Sequence, residues 1–218
     1  PDTTAGTQKK HSKDGAKMKT CFDFDGFRLD LDGVWNHPSG PRFESGHTAL
    51  LTSASAAFHK KCSEKKVGFF DWPIEMPELE MAQIKSLARR LRSEFQGALL
   101  VGIGGSYLGA AALLEALGEE TSFPLHWVSN TDGPAIAKAS AFAKSGRMAT
   151  ILISKSGNTT ETLSAFYCLS QHLDPKGFIV ITDPKSGELR RLVQKYGWER
   201  LPVPPNIGGR FSVFTSVG

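Results

Sequence analysis

Cysteine is scarce in this chain of 218 residues: there are three, Cys21, Cys62 and Cys168, odd in number and widely scattered. They show no metal-ligand spacing, and a reduced, cytoplasmic setting is the expectation. Long apolar runs are also missing. None approaches the roughly 18 residues that span a bilayer, so no membrane association is expected. Nothing near the start joins a basic segment, an apolar stretch and a small-residue cleavage site, so no secretory signal is read. His11, His37, His47, His59, His126 and His172 form no spaced pair, and no metal site is expected from them. No G-x-x-x-x-G-K-[ST] occurs, which excludes a P-loop.

Charge of one sign is in excess, with a formal net charge of +4 and a pI near 9.0. Its distribution argues against nucleic acid as a partner. Residues 1–20 hold five lysines and two aspartates, a net of +3, so only about +1 belongs to the other 198 residues. A nucleic-acid groove needs clustered Arg and Lys on the folded body instead. Hydrophobic residues at 40% and charged residues at 22% are ordinary for a globular protein. The chain opens on Pro1 rather than methionine and stops at Gly218 inside a motif, so both ends are expected to be cut.

Residues 1–19 are polar and without periodicity, and read as a disordered or upstream tail. From Cys21 to about Gly40 apolar and acidic residues alternate, as in a short hairpin or extended cover. Residues 44–66 read as a helix with Leu50, Leu51, Ala54 and Phe58 on one side. Pro77–Phe95 is an amphipathic helix carrying Ile84, Leu87, Ala88, Leu91 and Phe95 at helical spacing. Then the rhythm changes. Short apolar strands at 98–105, 125–130, 148–154, 177–182 and about 199–203 alternate with helices through Leu117, 135–144, 159–173 and 187–196. This predicts an α/β fold, a doubly wound parallel sheet, preceded by an α-rich N-terminal segment. The boundaries read as 1–19 for the tail, 20–95 for a segment packing on the domain, and 96–218 for the domain itself.

In open parallel sheets, ligands sit beyond the carboxyl ends of the strands where strand order reverses. With the flavodoxin-like order 2-1-3-4-5, that point lies between the first and third strands. The glycine-rich turn Gly102-Ile103-Gly104-Gly105-Ser106 follows the first, and Ser154-Lys155-Ser156-Gly157-Asn158-Thr159-Thr160-Glu161-Thr162 follows the third. The turns after the second and fourth strands carry Asp132 and Asp183, which would repel a phosphate. The 154–162 run gathers hydroxyl and amide groups at a helix start, where free N–H groups and the dipole favour an anion. For any one residue the plainer alternative is capping, with Asn158 or Thr159 as N-cap and Glu161 closing a box. For Ser154, Ser156 and Thr159 together, a phosphate nest is the better reading. A dinucleotide fingerprint fails, because the last glycine of G-x-G-x-x-G falls on Tyr107. Near the end, Gly208 and Gly209 precede Arg210, which the glycines would let approach a ligand; a lone surface arginine is the ordinary alternative.

VGIGGSYLG (101–109), ISKSGNTTETL (153–163) and GGRFSVFTSVG (208–218), with WVSNTDG (127–133), together resemble the glucose-6-phosphate isomerases over about residues 68–218. The GGRFS segment separates that family from other sugar isomerase (SIS) domains. Animal members read S-K-T-F-T-T-x-E-T, whereas this chain has Ser156-Gly157-Asn158, as bacterial members often do. The resemblance implies an SIS-type fold, interconversion of glucose 6-phosphate and fructose 6-phosphate through an enediolate in glycolysis and gluconeogenesis, no metal or other cofactor, and a homodimer. It also implies that Gly105 and Ser106 contact substrate and that Ser154, Lys155 (mainly by its backbone), Ser156 and Thr159 surround the phosphate. Gly209 would line the site, and Arg210 would stabilise the enediolate. The family's acid/base glutamate, histidine and lysine would lie beyond Gly218, leaving the fragment inactive alone. Two alternatives stay open: a non-catalytic phosphosugar-binding module, and one part of a fused transaldolase and isomerase.

Overall fold

A computed structural model describes residues 21–24, 27–30, 45–118 and 123–218. The expected tail at 1–19 and the stretch 31–40 lie outside these residues. The chain divides into two units, Pro1–Ala56 and Ala57–Gly218. In the first, β1 (Cys21–Phe24) and β2 (Phe27–Asp30) form an antiparallel hairpin, with Cys21 opposite Asp30 and Phe24 opposite Phe27. Arg28 donates to Asp23 at 2.6 Å on its exposed surface. Helix α1 (Ser45–Ser63) runs across the unit boundary. Its apolar side forms as read, but Leu50, Leu51, Ala54 and Phe58 are all exposed.

The second unit begins with α2 (Gly68–Glu75) and α3 (Glu78–Glu94). Strands β3 (Gly97–Val101), β4 (Leu125–Val128), β5 (Met148–Ser154), β6 (Phe178–Thr182) and β7 (Glu199–Pro202) then alternate with four helices. These are α4 (Leu108–Leu117), α5 (Gly133–Lys144), α6 (Thr160–Leu169) and α7 (Glu188–Tyr196). The strands form one sheet in the order β4-β3-β5-β6-β7, every neighbour parallel. That is the expected doubly wound order, with the reversal between β3 and β5.

Alternate residues of the central strands β3, β5 and β6 feed two cores, as a sheet covered on both faces requires. Leu99, Val101, Leu152, Phe178 and Val180 pack with Ala165, Phe166 and Leu169 of α6 and Leu189, Leu192 and Val193 of α7. Ala98, Leu100, Ile153, Ile179 and Ile181 face the other way, against Leu87 and Leu91 of α3 and Phe95. Burying each large aliphatic side chain contributes about 1.5–3 kcal/mol. Helix α3 has Glu78 and Glu80 in its first turn and Arg92 in its last, which complements the helix dipole. At the amino edge of the sheet Trp198 stacks on Phe178 at 4.4 Å and on Tyr196 at 5.1 Å.

Three elements differ from the sequence reading. α2 is an additional helix containing Pro73, a residue that masks its periodicity. α6 ends at Leu169 and continues as a 3-10 turn, Ser170–His172, instead of running as α-helix to Leu173. α4 forms where expected, yet none of its residues is buried, and Leu117 is 78% exposed. Among the described residues no helix is long and apolar enough to cross a membrane.

His126 on β4 stacks on Phe142 of α5, with ring centroids 5.2 Å apart. Partial burial, helped by Lys138, lowers its pKa below the ordinary histidine value. The folded chain thus binds that proton less readily than the unfolded chain. This share of stability is complete above the unfolded pKa of about 6.5 and is lost as pH falls through the lower folded value. Thermal melts at about pH 7.5 and about pH 5.5 should show a fall in Tm that shrinks in His126→Gln. An equal fall in both proteins would remove His126 from the effect.

Candidate functional site

Register between the two central strands decides where the glycine-rich turns go. Val101 pairs with Leu152 and Gly97 with Met148, so β3 and β5 run side by side and release their chains at the same edge. The β3 turn closes as a 3-10 element, Gly104–Ser106, with Gly104 at φ +60°, a conformation that glycine adopts without strain. Ser106 N–H donates to the Ile103 carbonyl at 3.2 Å, and both Gly105 and Ser106 are half-buried. A Cβ at Gly102 would sit 3.2 Å from Ile153 Cβ, a measure of how closely this turn approaches β5. Tyr107, the residue after the turn, meets Trp127 of β4 edge-on at 5.3 Å.

The β5 turn is tied mostly to itself. Ser154 is 2% exposed, and its hydroxyl shares a 2.8 Å bond with the Thr159 hydroxyl. Gly157 N–H donates to Ser154 Oγ at 3.2 Å, and Asn158 N–H donates to Ser156 Oγ at 3.2 Å. Gly157 sits at φ +69°, and a Cβ there would lie 2.9 Å from the Thr182 hydroxyl, so both conformation and space require glycine. Ser156 is exposed and Thr159 half-buried. Lys155 Nζ reaches the Pro205 carbonyl at 3.4 Å, and its own carbonyl accepts from Asp183 N–H at 2.9 Å.

The capping alternative is not what forms. Thr159 is the N-cap of α6 by position, but no side-chain cap bond is made there. Its hydroxyl bonds Ser154, and Asn158 Oδ1 accepts from Glu188 N–H of α7 at 2.8 Å. The N–H groups opening α6 are thus left without a side-chain acceptor. The acids of the neighbouring turns are committed internally. Asp132 caps α5 by accepting from Ala135 N–H at 2.8 Å. Asp183 accepts from the N–H groups of Lys185 at 2.8 Å and Ser186 at 2.9 Å, which holds its carboxyl below its usual pKa.

The third segment, 208–211, folds back on the first. Gly209–Phe211 is a further 3-10 turn. A Cβ at Gly105 would fall 2.8 Å from Arg210 Cα and closer still to the Gly209 carbonyl, so the two turns touch backbone to backbone. Phe211 stacks on Phe69 of α2 at 4.4 Å. Arg210 itself is exposed, and none of the ion pairs among the described residues includes it. Gly105, Ser106, Gly209 and Arg210 therefore share one corner, and Ser154, Lys155, Ser156 and Thr159 stand at the end of the adjacent strand. Among the described residues no group of three His, Cys, Asp or Glu is placed to hold a metal ion.

A family model described as Phosphoglucose isomerase matches residues 78–218. The chain belongs to this family. Glucose-6-phosphate isomerase of Carboxydothermus hydrogenoformans is 34% identical over 214 residues, covering 88% of this chain and 46% of the relative. That of the Aster yellows witches'-broom phytoplasma is 32% identical over 208 residues, covering 88% and 48%. The chain thus spans about half the length of these curated relatives. Among solved structures, a hypothetical protein of Thermus thermophilus superposes with TM-score 0.64 at 29% identity, covering 80% of this chain and 43% of that one. A glucose-6-phosphate isomerase of Chlamydia trachomatis gives TM-score 0.58 at 25% identity, covering 65% and 28%.

The sequence alone does not disclose the residues that hold the site turns in place. Phe69 supports Phe211, and α2 had not been read as an element. Glu80 accepts from the Ser216 hydroxyl at 2.6 Å, anchoring the segment after Arg210, and no local pattern signals a bond across that separation. Asn158 was visible as a capping residue, but which helix it serves depends on the tertiary fold. The Gly105 contact makes a direct prediction. Gly105→Ala should destabilise the chain by about 1–3 kcal/mol, the usual cost of overpacking against backbone that cannot yield. Denaturant unfolding measures it, and unchanged stability would mean that the turns do not touch.

Proposed function

We propose that this chain forms the phosphate-binding part of a glucose-6-phosphate isomerase active site. Ser154, Ser156, Thr159 and the Lys155 backbone surround the substrate phosphate, with Gly105 and Ser106 against the sugar. The observation that supports this most is the open amino end of α6: its flanking hydroxyls bond within the turn, and no carboxylate of this turn caps it. Hydroxyls and backbone N–H groups suit a phosphate monoester because they donate without adding a counter-charge of their own. Gly209 leaves room beside Arg210, whose guanidinium faces the charge that grows on the enediolate as a proton moves between the first two sugar carbons. A cation fixed at that point lowers the barrier because it binds the transition state better than the substrate. Proton transfer itself falls to acid/base groups supplied by the remainder of the full-length protein. The same reading carries a cytoplasmic homodimer of the full-length protein, in which 20–95 is an N-terminal segment and 96–218 the first part of the sugar-phosphate domain.

Two experiments on the full-length protein test it. Alanine at Ser154, Ser156 and Thr159 should weaken glucose 6-phosphate binding by about 1.5–3 kcal/mol per buried charged hydrogen bond lost, and leave an unphosphorylated hexose little affected. Equal loss for both ligands points to unfolding or to a different site. Arg210→Lys should lower kcat more than it raises KM, at about 2.7–4 kcal/mol in the transition state, since lysine keeps the charge and loses the planar paired donors. A change confined to KM makes Arg210 a ground-state binder.

A further inference from the structure

The turn assigned to the phosphate is fastened to α7, a helix with no part in the reaction as described. Asn158 Oδ1 accepts from the backbone N–H of Glu188, the first residue of α7, at 2.8 Å. Beside it, the Gly157 carbonyl accepts from Leu189 N–H at 3.0 Å. Two of the N–H groups that open α7 therefore end on the phosphate turn. The residue in the N-cap position of α7 is Gly187, at φ +95°, which has no side chain to offer. Asn158, thirty residues before Glu188, takes over that task. Gly187 also lies flat against the turn, since a Cβ there would be 3.0 Å from Gly157 Cα.

Position 158 stands two residues before α6, where an asparagine could cap that helix. Its side chain points to α7 instead, and α6 makes no side-chain cap bond. The backbone N–H of the same residue donates to Ser156 Oγ at 3.2 Å. One residue therefore holds α7 with its side chain and a proposed phosphate ligand with its main chain.

We infer that Asn158 is a positioning residue of the phosphate site. By capping α7 rather than α6, it leaves the first turn of α6 open to the anion and fixes the Ser156 and Thr159 hydroxyls relative to it. This rests on the phosphate reading above. Asn158 acts through the Glu188 amide and does not touch the anion.

Calorimetric titration of the full-length protein with inorganic phosphate separates these roles. Asn158→Ala should weaken phosphate binding roughly 3- to 10-fold, the factor that one exposed-turn hydrogen bond supports. Glu188→Pro deletes the N–H while keeping α7, because proline suits the first helical position. Glu188→Ala keeps the N–H and removes only the carboxylate. Glu188→Pro should bind phosphate more weakly than Glu188→Ala by the same factor, and adding Asn158→Ala to Glu188→Pro should cost nothing further. If Asn158→Ala does not fold, the proline–alanine comparison at 188 carries the test alone. The inference is overturned if Glu188→Pro and Glu188→Ala bind equally well, which would make any Asn158 effect a direct contact. It is also overturned if Asn158→Ala binds like the unaltered protein. Ser154→Ala, titrated alongside, tells which level has failed. Normal binding there removes the phosphate reading, and weakened binding there removes only the role of Asn158.

Discussion

The hydrogen-bonded ladder between β3 and β5 is the constraint on which the rest of the molecule depends. Parallel strands point the same way, so pairing Val101 with Leu152 delivers the glycine turn and the serine turn to one edge. An antiparallel pairing of the same residues would send them to opposite edges and separate the two motifs by the length of the sheet. The apolar runs that give the central strands two buried faces also fix which side of the edge each turn leaves from. The position of the site follows from core packing, before any polar residue is considered.

Polar chemistry is then distributed by a simple division. Aspartates in the turns beside the site are consumed as helix caps or turn acceptors, Asp132 by Ala135 and Asp183 by Lys185 and Ser186. The turn between them bonds its hydroxyls to each other and leaves its helix without a side-chain cap. An anion arriving at that edge meets donors, while the aspartates of the neighbouring turns are already engaged in hydrogen bonds.

Most of the fold was legible because its signals are local. Five short apolar runs alternating with helices leave few topologies open, and right-handed crossovers select among them. The candidate residues were legible for another reason, that hydroxyls and glycines concentrated in two turns stand out from their neighbours. What could not be read was tertiary. α2 hides behind Pro73, and its use appears only when Phe69 meets Phe211. The surroundings of α4 could not be read either: none of its residues is buried, and its Ala110 and Leu114 line an apolar cavity with Leu87 and Leu91 of α3. Asn158 could be read as a cap, but its helix could not be named from neighbouring residues.

The edge-on contact between Tyr107 and Trp127 has an optical consequence. Trp127 lies on β4, at the edge of the sheet, while Tyr107 is the first residue after the Gly104–Ser106 turn. Any shift of that turn changes the surroundings of one indole and leaves the sheet beneath it in place. Trp198, wedged among Phe178 and Tyr196 at the opposite edge, responds to unfolding of the core but is remote from the turn. The chain thus carries a built-in emission probe beside its candidate site and a reference fluorophore away from it.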